Sequence, residues 1–294
     1  MIDPRRLQVL RSVAKHGSVA AAAQALRLTP PAVSQQLLAL ERETGASLID
    51  RSGRQVALTA AGRLLAAHGE RIAEQLRQAE RELAELTGKV TGPVRIAAFQ
   101  SVMAPLIAPA LRSLVVAYPA VRPVVRECYG PEAMVGLRRG ELDIVLTEYD
   151  SAGAEPVEPG LGLRRLAFDP YLLVIPPDWQ FTPRDLHALN GRPWGAGPPG
   201  TACDHALRRL TAEAGIVIPE GDVCVEFPSV LALVAAGRGA AIVPRLALDR
   251  SPVTVCAVPG LGGRHIAASY VAGAAQPAPA TAVVLDALAE AGRG

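Results

Sequence analysis

Two neighbouring polar residues, Ser34 and Gln35, stand on the outward side of a segment in which Val33, Leu37 and Leu40 repeat with helical spacing. A glutamine amide can pair with adenine N6 and N7, and a serine hydroxyl can serve a base edge or a phosphate in a major groove. Further along, Arg51 and Arg54 flank Ser52-Gly53, a turn joining two short strand-like pieces between Ala46 and Thr59. Guanidinium groups there suit backbone phosphate or a minor groove, which adds affinity more than sequence discrimination. Taken singly, all four are as readily ordinary polar surface; the three helices around them favour the reading role.

Catalytic chemistry finds less support. No Gly-x-Ser-x-Gly occurs, and His16, His68, His187, His205 and His265 form neither HExxH nor a clustered ligand set. Cys128, Cys203, Cys224 and Cys256 lie far apart, with no pair at metal-ligand spacing. The run Gly195 to Gly200 contains Pro198 and Pro199 and lacks the Lys-Ser/Thr of a phosphate loop. We therefore expect no enzyme, no catalytic residue, no metal and no cofactor.

The positioning elements follow from periodicity. Leu7, Leu10, Val13 and Ala14 give a first helix with one apolar face, ending at His16-Gly17. Ser18 caps a second helix carrying Val19, Ala22, Ala23 and Leu26, whose small residues allow close helix approach. Thr29 caps a third, with Pro30 at its first helical position and Pro31 in its first turn, where the missing N–H groups cost nothing. With the strand pair after Gly45, the first 60 residues read as a winged helix-turn-helix head. Ser18, Thr29, Pro30, Pro31, Ser34, Gln35, Arg51 and Arg54 are its expected contact residues.

From Thr59 to Leu86 no proline interrupts a helical pattern, a length of about 40 Å at 1.5 Å per residue. Leu65, Ile72, Leu76, Ala79, Leu83 and Leu86 fall on one seam, with the 3,4 spacing of a heptad from Ile72 onward. Gly88 to Pro93 ends this linker. The remainder alternates strands and helices, the signature of parallel α/β units that bind ligands beyond the carboxyl ends of strands. Strands are expected at Val94–Ala98, Val121–Arg126, Ile144–Leu146, Tyr171–Ile175, Val223–Glu226 and Ala241–Val243, and helices at Pro105–Val116, Pro131–Arg139, His205–Glu213 and Ser229–Ala236. Two lobes fit this series better than one sheet.

Composition agrees. Of 294 residues, 50% are hydrophobic and 20% charged, which argues against disorder. Net charge is +2, yet the first 60 residues hold 8 basic against 4 acidic groups, so the excess lies in front. No uninterrupted run long enough for a membrane span, and no secretion signal, is read from the chain, so a cytoplasmic location without membrane contact is expected.

The run Leu28-Thr29-Pro30-Pro31-Ala32-Val33-Ser34-Gln35-Gln36-Leu37-Leu38-Ala39-Leu40-Glu41, with Leu48-Ile49-Asp50-Arg51 and Leu58-Thr59-Ala60-Ala61-Gly62, resembles the head of LysR-type transcriptional regulators. Ile49 stands where the family usually has Phe, and Leu38 where it has a basic residue, which removes a backbone contact there. Gly140 to Leu146 and Leu233 to Pro244 resemble the family's effector-domain patterns, so the likeness spans nearly the whole chain.

That resemblance implies a head over 1–60, a linker and dimerisation helix over 61–90, and a two-lobed effector-binding domain over 91–294. Lobe I would take about 91–160 and 268–294, and lobe II about 161–267. It implies a small-molecule effector of unknown identity between the lobes, contacted by Phe99, Gln100, Ser101, Glu148, Thr201, Ala202, Cys203 and Phe227. Helix N-termini with Gln100, Ser101 and Thr201 would suit an anion, whereas Glu148 would favour a cationic or hydrogen-bond-donating group. Cys203 resembles in place the reactive cysteine of peroxide-sensing members, but the next cysteine, Cys224, lies 21 residues on, too far for their thiol pair. The resemblance further implies a homodimer, usually a homotetramer, double-stranded promoter DNA as partner, and contact with RNA polymerase. The rival is a two-lobed small-molecule-binding protein whose head serves protein contacts, without specific DNA binding.

Overall fold

A computed structural model describes residues 2–50, 57–87, 90–183, 185–219, 221–272 and 277–293. The chain divides into two compact units, 1–83 and 84–294.

In the first unit α1 (Pro4–His16), α2 (Val19–Leu26) and α3 (Pro30–Thr44) enclose a core of Val9, Leu10, Val13, Ala22, Ala23, Val33, Leu37 and Leu40. Ala14, expected on the apolar face of α1, is exposed, and Val9 and Ser12 are buried instead. Asp3, Ser18 and Thr29 each accept a backbone N–H at their helix start. Ser18→Ala removes the 3.1 Å bond from Ala21 N–H; it is expected to cost about 1 kcal/mol, lowering hydrogen-exchange protection of the α2 amides about fivefold.

The two-residue strands β1 (Ile49–Asp50) and β2 (Ala57–Leu58) pair antiparallel. A carboxylate that the sequence reading did not single out anchors β1: Glu41 Oε1 accepts the N–H groups of Leu48 and Ile49 at 2.8 and 3.2 Å. Arg51 and Arg54, with the turn between them, lie outside the described residues. The long helix α4 (Ala60–Thr87) begins against this strand pair, and Gly62 permits the approach, since a Cβ there would stand 2.1 Å from Leu48 O. Leu65 packs on the head core, so it leaves the expected seam. Ile72, Leu76 and Leu83 are 45%, 60% and 62% exposed and Ala79 is exposed, while the side chain of Leu86 lies outside the described residues.

The second unit is built on the strand order β4-β3-β5-β10-β6-β8-β7, with β9 also on β6. In lobe I, β3 (Gly92–Ala98) runs parallel to β4 (Val121–Glu127) and β5 (Ile144–Asp150), while β10 (Gly263–Val271) runs antiparallel to β5 and β6 (Leu161–Ile175). In lobe II, β6 pairs antiparallel with β8 (Ala240–Pro244) and β9 (Thr254–Cys256), and β7 (Trp194–Gly195) pairs parallel with β8. Helices cover both faces of each sheet. In lobe I these are α5 (Gln100–Val102), continuing through a π turn into α6 (Ala108–Ala117), α7 (Pro131–Arg138) and α10 (Pro279–Ala291); in lobe II, α8 (Ala202–Ala214) and α9 (Phe227–Ala235).

Three expectations change. The helix expected from Pro105 begins at Gln100 and carries the π turn Met103–Ile107, where Pro105 has no N–H to donate to the ladder. This stretch, Gln100–Ala117, is long and apolar enough to cross a membrane by length and composition, but Val102, Leu106, Ile107, Ala110 and Leu114 are buried in the lobe I core. Val223–Glu226 forms no strand; Val223 makes a single bridge to Ala196. The lobe crossings also move. Residues 161–170 of β6 pair with β10 and Leu166 joins the lobe I core, whereas Tyr171 and Leu173 belong to lobe II. The chain therefore crosses at Asp169–Tyr171 and, with Leu261 in lobe II and Ile266 in lobe I, returns at Gly262–Gly263. Gly263 is required at the return, because a Cβ would meet Asp169 O at 2.6 Å.

Candidate functional site

The head presents α3 with Val33, Leu37 and Leu40 inward and Pro30, Pro31, Ser34, Gln35 and Leu38 exposed. Among the described residues the side chains of Ser34 and Gln35 make no hydrogen bond, which leaves the amide and the hydroxyl for an external partner. Thr29, also exposed, caps α3 at 3.4 Å to Ala32 N–H, and the half-buried Ser18 caps α2. Both hydroxyls accept within the helix ends and retain their hydrogens for donation. The arrangement can place one helix face against base edges and two capped helix starts near phosphate.

In the body, a cavity of about 500 Å³ opens between the lobes. Phe99, Gln100, Ser101, Glu148, Thr201, Ala202, Cys203 and Phe227 all line it, joined by Tyr129, Cys224, Glu226 and Arg264, which sequence reasoning missed. Arg264 lies beside the chain's return crossing and is wholly buried, 0% exposed. Its Nε and Nη2 donate to Asp169 Oδ2 at 3.0 and 2.8 Å, Nη2 also donates to Ser101 Oγ at 2.8 Å, and Nη1 donates to Glu148. Its guanidinium carbon stands 5.2 and 5.7 Å from the ring centres of Phe99 and Phe227. Burial opposes this charge, but Glu148 and Asp169 outweigh it and raise the guanidinium pKa, so the group stays cationic. Asp169 accepts in turn the Leu246 N–H at 3.0 Å, in the short turn Arg245–Ala247 that follows β8 and packs Leu246 on the lobe I core.

These contacts change the expected roles. Glu148 faces the cavity but is paired with Arg264, and Ser101 accepts from that same guanidinium. The α8 N-terminus, expected to hold an anion, is filled by its own chain: Thr201 Oγ donates to Pro198 O at 2.9 Å, and Asp204 accepts the Gly200 N–H at 2.9 Å. Burial pushes the Asp204 carboxyl up, but that N–H and Arg208 prevail and hold it below its ordinary value.

Cys203 is buried, and burial, with Glu148 next, pushes its thiol far above the ordinary range. A thiol held protonated is a poor nucleophile toward peroxide. Hydrogen peroxide treatment is expected to leave Cys203 unmodified by mass spectrometry and DNA affinity unchanged; sulfenic acid on Cys203 would count against this.

Residues 4–63 match the sequence profile of the bacterial regulatory helix-turn-helix protein, lysR family, and residues 87–293 that of the LysR substrate binding domain. Among curated relatives, an uncharacterized HTH-type transcriptional regulator, YfeR, of Shigella flexneri is 30% identical, over 85% of this chain and 82% of that protein. A RuBisCO operon transcriptional regulator of Allochromatium vinosum is 30% identical, over 82% and 79%. The fold is shared with full-length CbnR complexed with its target DNA, at TM-score 0.68 and 24% identity over 99% of this chain and 100% of that one. It is shared also with probable transcriptional regulator PA0477 of Pseudomonas aeruginosa, at TM-score 0.76 and 19% identity over 98% and 97%. A capped reading helix in the first unit and a two-lobed body around a lined cavity thus accompany matches over both units, and the chain belongs to the LysR-type family of DNA-binding transcriptional regulators with an effector-binding domain.

Proposed function

We propose that a small molecule held in the inter-lobe cavity sets the angle between the lobes, and through it the spacing of two DNA heads in a dimer. The observation that carries this reading is the Arg264 network. One buried guanidinium beside the hinge is bonded to Ser101 and Glu148 of lobe I and stands over the Phe227 ring of lobe II, while its partner Asp169 is bonded to the Leu246 N–H in the turn that follows β8. A ligand touching Ser101, Glu148 or Phe227 acts on the group that links both lobes, so it binds one lobe angle better than another and shifts the population.

Dimerisation runs through the exposed stripe Ile72, Leu76, Ala79 and Leu83 of α4, with pairs of dimers forming a tetramer. Ser34 and Gln35 read base edges, Arg51 and Arg54 meet phosphate, and RNA polymerase is a further partner at the promoter. The protein acts in the cytoplasm, carries out no catalysis and takes no metal or cofactor. The test is a footprint of the full-length chain on a duplex selected from random sequence, with and without a metabolite that raises Tm. A ligand-dependent change in footprint length supports the reading; equal affinity for selected and random duplexes at every salt concentration would favour a head that serves protein contacts.

A further inference from the structure

We propose that the effector of this chain is an organic cation, one protonated nitrogen on a mainly apolar body, rather than the carboxylate that a buried arginine in a cleft first suggests. The inference rests on the cavity being the effector site. Arg264 does not present a free positive charge there. Two carboxylates, Asp169 and Glu148, already accept from it, Ser101 accepts as well, and these four hydrogen bonds occupy most of its five N–H groups. An entering carboxylate would find at most one N–H and would face Glu148 across it.

The other charged group on the wall is also acidic. Glu226 lines the cavity and, among the described residues, its carboxylate has no hydrogen bond or ion pair. Two of the helix starts on the wall are unsuited to an anion, whereas α5 begins there at Gln100 without a side-chain cap. At α8 the Asp204 carboxylate takes the Gly200 N–H, and at α9 the N-cap is Glu226 itself, with Pro228 lacking an N–H in the first turn. The remaining wall is mainly apolar and aromatic, including Tyr129, Phe227, Val230 and Ile242, with Gln100, Thr147 and Thr201 as its polar members. An aromatic face beside two carboxylates stabilises an ammonium that has left water, both through the ring quadrupole and through charge-assisted hydrogen bonds. A volume of about 500 Å³ accommodates an aromatic or branched aliphatic amine with room for further substituents.

The experiment uses the full-length chain at neutral pH and three probes that share one apolar body: phenethylamine, phenethyl alcohol and phenylacetate. Calorimetric titration and Tm shift are read for the unaltered protein, for Glu226→Gln and for Gly195→Leu. The last fills the cavity from a position where an added Cβ meets nothing closer than 3.9 Å. Expected is the order amine, alcohol, carboxylate, with the amine at least about tenfold tighter than the alcohol, and with Glu226→Gln removing that advantage while leaving the alcohol unchanged. Tighter binding of phenylacetate, equal binding of amine and alcohol, or no binding of the amine at millimolar concentration would overturn the cationic assignment. Amine binding that survives Gly195→Leu in a folded protein would instead overturn the cavity as the site.

Discussion

Replacing Arg264 by alanine is expected to destabilise the 84–294 unit by about 3–5 kcal/mol, because it leaves buried carboxylate without its counter-charge. Asp169 is 0% exposed at its side chain, and both interactions of its Oδ2 are with Arg264. Removing the cation strands that charge, removes the donor on Ser101 Oγ and empties the space between Phe99 and Phe227. The double change Arg264→Met with Asp169→Leu should recover most of the loss, since it removes the need for compensation together with the compensation. Denaturant unfolding followed by tryptophan fluorescence reads the relevant part, as Trp179 and Trp194 both pack with the lobe II core. A loss below about 1 kcal/mol for Arg264→Ala, the range of an exposed ion pair, would sink the assignment of a buried, fully engaged network.

The contrast between head and body explains what the sequence could reveal. The signals that mark α1 to α3 are local: an apolar residue each three or four positions, a Ser or Thr three positions before the N–H it caps, a proline where no N–H is needed. The resemblance likewise brought together residues that all line one cavity, and all but Glu148 stand at the start of a helix. Arg264 had no such signal. Its partners are 95, 116 and 163 positions away; the antiparallel register of β10 with β5 and β6 brings in Asp169 and Glu148, and Ser101 comes from α5. The same register keeps 161–170 in lobe I, so the crossing lies later than the alternation of elements suggests. Glu41 shows the limit within the head, since a carboxylate on α3 that accepts from Leu48 and Ile49 reads in sequence as a solvated charge.

The second large effect is on DNA. Gln35→Ala is expected to weaken binding to a selected duplex by about fivefold to 150-fold, the ~1–3 kcal/mol of one bidentate base contact, and to leave binding to random duplex unchanged. Gln35 is exposed on the helix face opposite Val33, Leu37 and Leu40, and among the described residues its amide has no internal partner, so truncation leaves the fold's hydrogen bonds intact. Arg51→Ala, in the expected wing, should act differently, lowering affinity for both duplexes alike and reducing the slope of log affinity against log salt by about one. Titrations of both variants at several salt concentrations separate the two roles. Equal losses on selected and random duplex for Gln35→Ala would mean that the residue positions the head through phosphate. Base reading would then fall to Ser34, whose single hydroxyl discriminates less sharply because it accepts and donates to many base edges.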